Sequence, residues 1–113
     1  MLEHSLWHQY CASKTIREVL AGLYEIDIEQ FRVSEGELYA IMKRQLTKRE
    51  LRLFIMKEGG KSITDIQQSM GLSADHYSNM EHKAYRKFKI DKLKNALLAG
   101  DVSNVDNKTD YKS

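Results

Sequence analysis

Asp75, Asn79, Lys83 and Arg86 recur at intervals of three or four residues in the stretch GLSADHYSNMEHKAYRKFK, residues 71–89. On an α-helix that spacing gathers them on one side, together with Ser78 and His82. The chemistry suits base edges and phosphates. Asn79 can pair bidentately with adenine, Asp75 can accept from the cytosine amino group, and Lys83, Arg86, Lys87 and Lys89 can hold phosphates or a guanine edge. Tyr77, Met80, Ala84 and Phe88 share the other side and can pack, with Leu72 plugging the turn before them. A polar helix face is as often only a solvated one, so the pattern alone leaves DNA contact and plain solvation open.

Other reactive side chains are sparse. His4 and His8 lie one helical turn apart and Cys11 follows at i+3, but no fourth ligand accompanies them, so no metal is expected. Gly59-Gly60-Lys61-Ser62 resembles the end of a phosphate-binding loop without its first glycine or a preceding strand, which argues against a nucleotide cofactor. His76 and His82 have neither a nucleophile nor a paired carboxylate beside them, so they read as surface or phosphate-near residues and no enzyme is expected.

The elements that must carry this face are helices. A chain of 113 residues with no proline, six glycines and repeated 3.6-residue periodicity predicts an all-α protein, with one small core plus appendages. Ser34-Glu35-Gly36-Glu37, Thr47-Lys48-Arg49-Glu50 and Ser62-Ile63-Thr64-Asp65 each place a hydroxyl at an N-cap and a carboxylate three residues on. They predict helices over about 35–45, 48–58 and 63–70, with Gly59-Gly60 and Gly71 as stops. Ser73 caps a further helix to about Leu98, broken near Ile90-Asp91, and Gly100 ends it. Residues 99–113 are polar and aperiodic and read as a disordered tail.

Ahead of these, residues 4–24 read as one amphipathic helix bearing Leu6, Trp7 and Tyr10 and then the stripe Ile16, Val19, Leu20 and Leu23. Trp7 and that stripe are either core or, if the small middle domain cannot cover them, a surface for a dimer or another partner. Tyr24-Glu25-Ile26-Asp27-Ile28 reads as a linker.

Charge is divided along the chain. Residues 1–42 carry a net −4, residues 43–94 a net +7 and residues 95–113 a net −1. A basic middle suggests a polyanion, and the acidic flank a different partner. Met1-Leu2-Glu3-His4-Ser5 shows no signal peptide and no apolar run is long enough to span a bilayer, so a cytoplasmic protein without membrane contact is expected.

Leu46-Thr47-Lys48-Arg49-Glu50, Ile63-Thr64-Asp65-Ile66, Gly71-Leu72-Ser73-Ala74-Asp75 and Met80-Glu81-His82-Lys83-Ala84-Tyr85-Arg86-Lys87-Phe88-Lys89 together resemble region 4 of the sigma-70 family of bacterial RNA polymerase sigma factors. The resemblance covers about residues 46–89, and its most specific piece is Glu81-x-Lys83-Ala84-x-Arg86-Lys87. It implies a four-helix domain with a helix-turn-helix that reads a promoter's −35 element and docks on the flap of the polymerase β subunit. It places base reading at Ala74, Asp75, Ser78 and Asn79 and a backbone contact at Lys83. Ala74, His76 and Ser78 stand where the family commonly has arginine, so the usual −35 sequence is not implied as the target. Residues 1–45 leave no room for a strand-opening module, so the resemblance implies a stand-alone region 4-like regulator or a module that completes a sigma factor split over two chains.

The expectations are therefore an acidic helical segment over 1–33, a sigma region 4-like helix-turn-helix domain over 34–98 and a tail over 99–113. The expected function is promoter-DNA binding in transcription regulation, with RNA polymerase core, a sigma-related protein or a second copy as partner. The rival is a protein-interaction module of the same fold that does not read DNA.

Overall fold

Hydroxyl caps decide where the helices begin. A computed structural model describes residues 5–99, which form α1 (Ser5–Tyr10), α2 (Ile16–Tyr24), a single 3-10 turn (Ile28–Gln30), α3 (Glu35–Gln45), α4 (Lys48–Glu58), α5 (Ile63–Met70), α6 (Ala74–Phe88) and α7 (Asp91–Ala99). Strands are absent among the described residues, as the periodicity predicts. The expected tail beyond α7, the stop at Gly100 and the ligand position at His4 lie outside them.

Ser34, Thr47, Ser62 and Ser73 each accept the backbone N–H three residues on, satisfying an amide that has no intrahelical partner. The reciprocal carboxylate bond forms at Thr47, where Glu50 Oε1 accepts the Thr47 N–H at 2.9 Å. At Ser34 the matching Glu37 is instead placed 4.0 Å from Arg44.

The single helix expected over residues 4–24 is in fact two, α1 and α2. Thr15 and Glu18 form a second full capping box, with bonds of 3.1 and 2.8 Å. Glu35 adds its carboxylate, accepting the N–H groups of Ile16 and Arg17 at 2.7 and 3.0 Å. A fresh N-terminus satisfied this fully favours a break, and Trp7 closes the intervening turn by donating its indole N–H to the Lys14 carbonyl at 3.0 Å.

Two adjacent glycines end α4 for different reasons. Gly60 has φ +91°, the left-handed conformation that favours glycine, whereas Gly59 has φ −81°. Gly59 instead permits close approach: a Cβ there would sit 2.2 Å from the Tyr10 carbonyl oxygen. The end of α1 thus rests directly on the end of α4.

The apolar stripe of residues 7–20 goes inward. Trp7, Ile16, Val19 and Leu20 are buried in one core with Leu38, Phe54, Phe88 and Leu97, while Leu23 is half-buried at its margin. These four are therefore not an open partner surface, because α3, α4 and α6 supply enough apolar area to cover them. Residues before 34 share this core with those after it. Phe54 lies at its centre, with ring centroids 4.5 Å from Phe88, 5.4 Å from Tyr85 and 6.5 Å from Trp7. A smaller cluster, Leu53, Met56, Ile66 and Tyr77, lies beneath α5 and the first half of α6.

Candidate nucleic-acid interface

The face expected to carry chemistry lies on α6, and α4 holds α6 in place. Three side-chain pairs join the two helices: Glu50 meets Lys87, Lys57 meets Glu81 and Glu58 meets Tyr85. The start of α4 lies on one flank of α6 and its end on the other, so the two helices cross. At the far end, the Tyr24 hydroxyl donates to the Phe88 carbonyl at 2.6 Å, occupying an acceptor that the end of α6 leaves open. At the near end, Gly71 takes φ +66° and Ser73 caps α6 by accepting the His76 N–H at 3.1 Å. Arg49 ties the turn to α4 by donating to the Met70 carbonyl at 3.0 Å.

Tyr77, Ala84 and Phe88 are buried, while Met80 and Leu72 are half-buried against the small cluster. On the other side of α6, Ala74, Asp75, Ser78, Asn79, Lys83 and Arg86 are exposed, as is Lys89 just beyond it. The helical register thus brings the four base-reading candidates and three of the four phosphate candidates to solvent together.

Lys87 is the exception. It is half-buried, and its ammonium donates to Glu50 Oε1 at 2.6 Å. This pairing ties Lys87 to α4, apart from the other three phosphate candidates. Glu50 is the one buried charged or polar residue among those described, at 6% exposure. Burial pushes its carboxyl upward, but the bonds from Lys87 and from the Thr47 amide outweigh burial and hold it below its ordinary value.

A shallow groove separates α6 from the start of α4, with Lys48 and Arg49 on one wall and His76, Asn79 and Lys83 on the other. A second groove on the opposite flank of α6 brings Lys57 together with Ser78, His82, Arg86 and Lys89. Lys48, Arg49 and Lys57 were not among the residues singled out from sequence. Lys48 and Arg49 directly follow the Thr47 cap, and their one local signal is that a capped helix start carries two cations where the macrodipole favours anions.

Within the second groove Lys57 pairs with Glu81, and that bond raises its pKa. The Tyr85 hydroxyl donates to Glu58 at 2.6 Å. Burial, and after it the charge of Glu81, raises the Tyr77 phenol. These contacts fasten α6 to α4 and leave the outward face to polar side chains.

The remaining nucleophile faces inward. Cys11 is 2% exposed, its thiol donates to the Ile55 carbonyl at 3.3 Å, and burial pushes its pKa up to about 11. His8 is exposed, so the two do not converge. No three His, Cys, Asp or Glu side chains gather as a metal site among the described residues. No helix there is long and apolar enough to cross a membrane. The arrangement can offer hydrogen bonds and positive charge to an extended anion. No family model, curated protein or solved structure matches the chain.

Proposed function

We propose that the protein is a DNA-binding transcription regulator, in which α5 and α6 act as a helix-turn-helix and α6 enters the major groove. The observation that carries this reading is the exposed row of Asp75, Asn79, Lys83 and Arg86 on α6, with Lys48 and Arg49 across the adjoining groove. In that pose Asp75 and Asn79 address base edges, while Lys83, Arg86 and Lys89 meet phosphates on either side. The sigma region 4 resemblance of residues 46–89 supports the same assignment and adds RNA polymerase core as a candidate second partner.

The test is selection from a randomised duplex pool, with and without core RNA polymerase, followed by anisotropy titration over a salt series. The expected outcome is an enriched motif, bound with an affinity that falls as salt rises. Lys83→Ala and Arg86→Ala should each flatten the salt slope by about one unit, since each leaves one phosphate with its counterion still condensed. Retention of no duplex in either condition would sink the reading.

One observation favours the second reading, a protein-interaction module that does not read DNA. The first nine residues of α6, 74–82, contain no lysine or arginine, whereas the first 42 residues of the chain carry a net −4. Under that reading the polymerase or a sigma-related partner is retained without DNA, and Lys83→Ala and Arg86→Ala leave any duplex interaction unchanged.

A further inference from the structure

Four cations crowd the end of α6 and the residue after it: Lys83, Arg86, Lys87 and Lys89. Three are exposed. Lys87 lies one turn beyond Lys83 and therefore borders the same side of the helix. Its ammonium is nevertheless held by Glu50, whose side chain is 8% exposed against 36% for Lys87.

Glu50 is also held by the cap of its own helix. Its Oε1 also accepts the Thr47 N–H within the capping box that starts α4, so the carboxylate's position follows from residues three apart. Moving Lys87 onto a phosphate would leave that carboxylate buried with the amide bond alone, and an uncompensated buried charge is strongly unfavourable. A solvated lysine–phosphate contact returns only one counterion's release. The exchange therefore runs against Lys87 joining the open cations.

We propose that Glu50 withholds Lys87 from nucleic acid, making Lys87 a positioning residue for α6 and Glu50 a determinant of specificity. This rests on the DNA reading of α6. Sequence-independent attraction grows with every free cation on the face, whereas base-edge contacts do not. Sequestering one of four neighbouring cations lowers affinity for any duplex while leaving Asp75 and Asn79 untouched. The same bond also ties the end of α6 to the start of α4.

The test uses the full chain with two duplexes, one enriched by selection and one of random sequence, and reads the slope of log Kd against log salt. Arg86→Ala should flatten the slope by about one unit. Lys87→Met should leave it unchanged. Glu50→Gln, which keeps an acceptor for the Thr47 amide but removes the ion pair, should steepen it by up to about one unit and narrow the preference for the enriched duplex. A loss of fold destabilises without adding a phosphate contact, so it does not produce a steeper slope. A Lys87→Met slope that flattens like that of Arg86→Ala, or a folded Glu50→Gln with an unchanged slope, would overturn the proposal alone. If the wild type and Arg86→Ala bind no duplex at any salt, the DNA reading fails and the proposal falls with it.

Should Glu50→Gln not fold, amine acetylation of the wild type read by mass spectrometry decides. Lys83 and Lys89 should react quickly and be protected by the enriched duplex, with Lys87 slow in both states. Fast, duplex-protected acetylation of Lys87 would overturn the assignment.

Discussion

Two apolar clusters support this molecule unequally. The larger contains eighteen buried side chains among the described residues, drawn from α1, α2, α3, α4, α6 and α7 and the loops between them, while the smaller contains four. The smaller one lies beneath α5 and the half of α6 that bears Ala74, Asp75, Ser78 and Asn79. α5 buries a single residue, Ile66. Fewer buried contacts mean a lower free energy of local opening, so the proposed reading surface sits on the less stable part of the fold. Its second half is anchored differently, by Phe88 in the large core and by the bonds to Glu50, Glu58 and Tyr24. One helix thus spans a rigid base and a yielding tip.

Truncation in each cluster tests that contrast most severely. Phe88→Ala should cost about 3–5 kcal/mol and shift the whole unfolding transition, because it opens a cavity against Phe54 at the centre of the large core. Ile66→Ala should cost less, toward the lower end of about 2–5 kcal/mol. Its effect should be local: amides of α5 and the start of α6 exchange faster, while the denaturation midpoint seen by Trp7 fluorescence moves little. Equal shifts of both probes in both variants would show one cooperative unit instead of two unequal ones.

Glycines sharpen the comparison with smaller effects. Gly59→Ala places a methyl against the Tyr10 carbonyl, backbone against backbone, and should cost about 1–3 kcal/mol by lifting α1 from α4. Gly22→Ala lies at an exposed position within α2 with nothing within 4 Å of the added Cβ. It should stabilise by about 0.5–1 kcal/mol through helix propensity alone. Thermal melts of the two variants should move in opposite directions, and a parallel shift would refute the close approach at Gly59.

Much of the architecture was legible because its causes are local. The hydroxyls of Ser34, Thr47, Ser62 and Ser73 begin α3, α4, α5 and α6 where their spacing predicts, and the break near Ile90 separates α6 from α7. The break after α1 was legible too, in Thr15-Ile16-Arg17-Glu18, yet the longer apolar stripe masked it. α2 ends at Tyr24, where the stripe through Leu23 predicts, although Glu25 and not Gly22 takes the left-handed conformation there. Gly59 looked like a conformational stop, but nothing near it in the chain shows that it faces Tyr10.

Local sequence was enough for the helical class, the starts of most helices and the division of α6 into an apolar and a polar side, because caps and periodicity act within three or four residues. Which apolar stripe becomes core, and which cations remain open, depended on long-range packing. Trp7, Ile16, Val19 and Leu20 could have faced a partner until α3, α4 and α6 closed over them. Lys87 has its carboxylate partner only because packing brings it to Glu50, 37 positions away along the chain. A side chain's period states which side of a helix it occupies, whereas its burial and its charge partner depend on what the rest of the chain packs against that side.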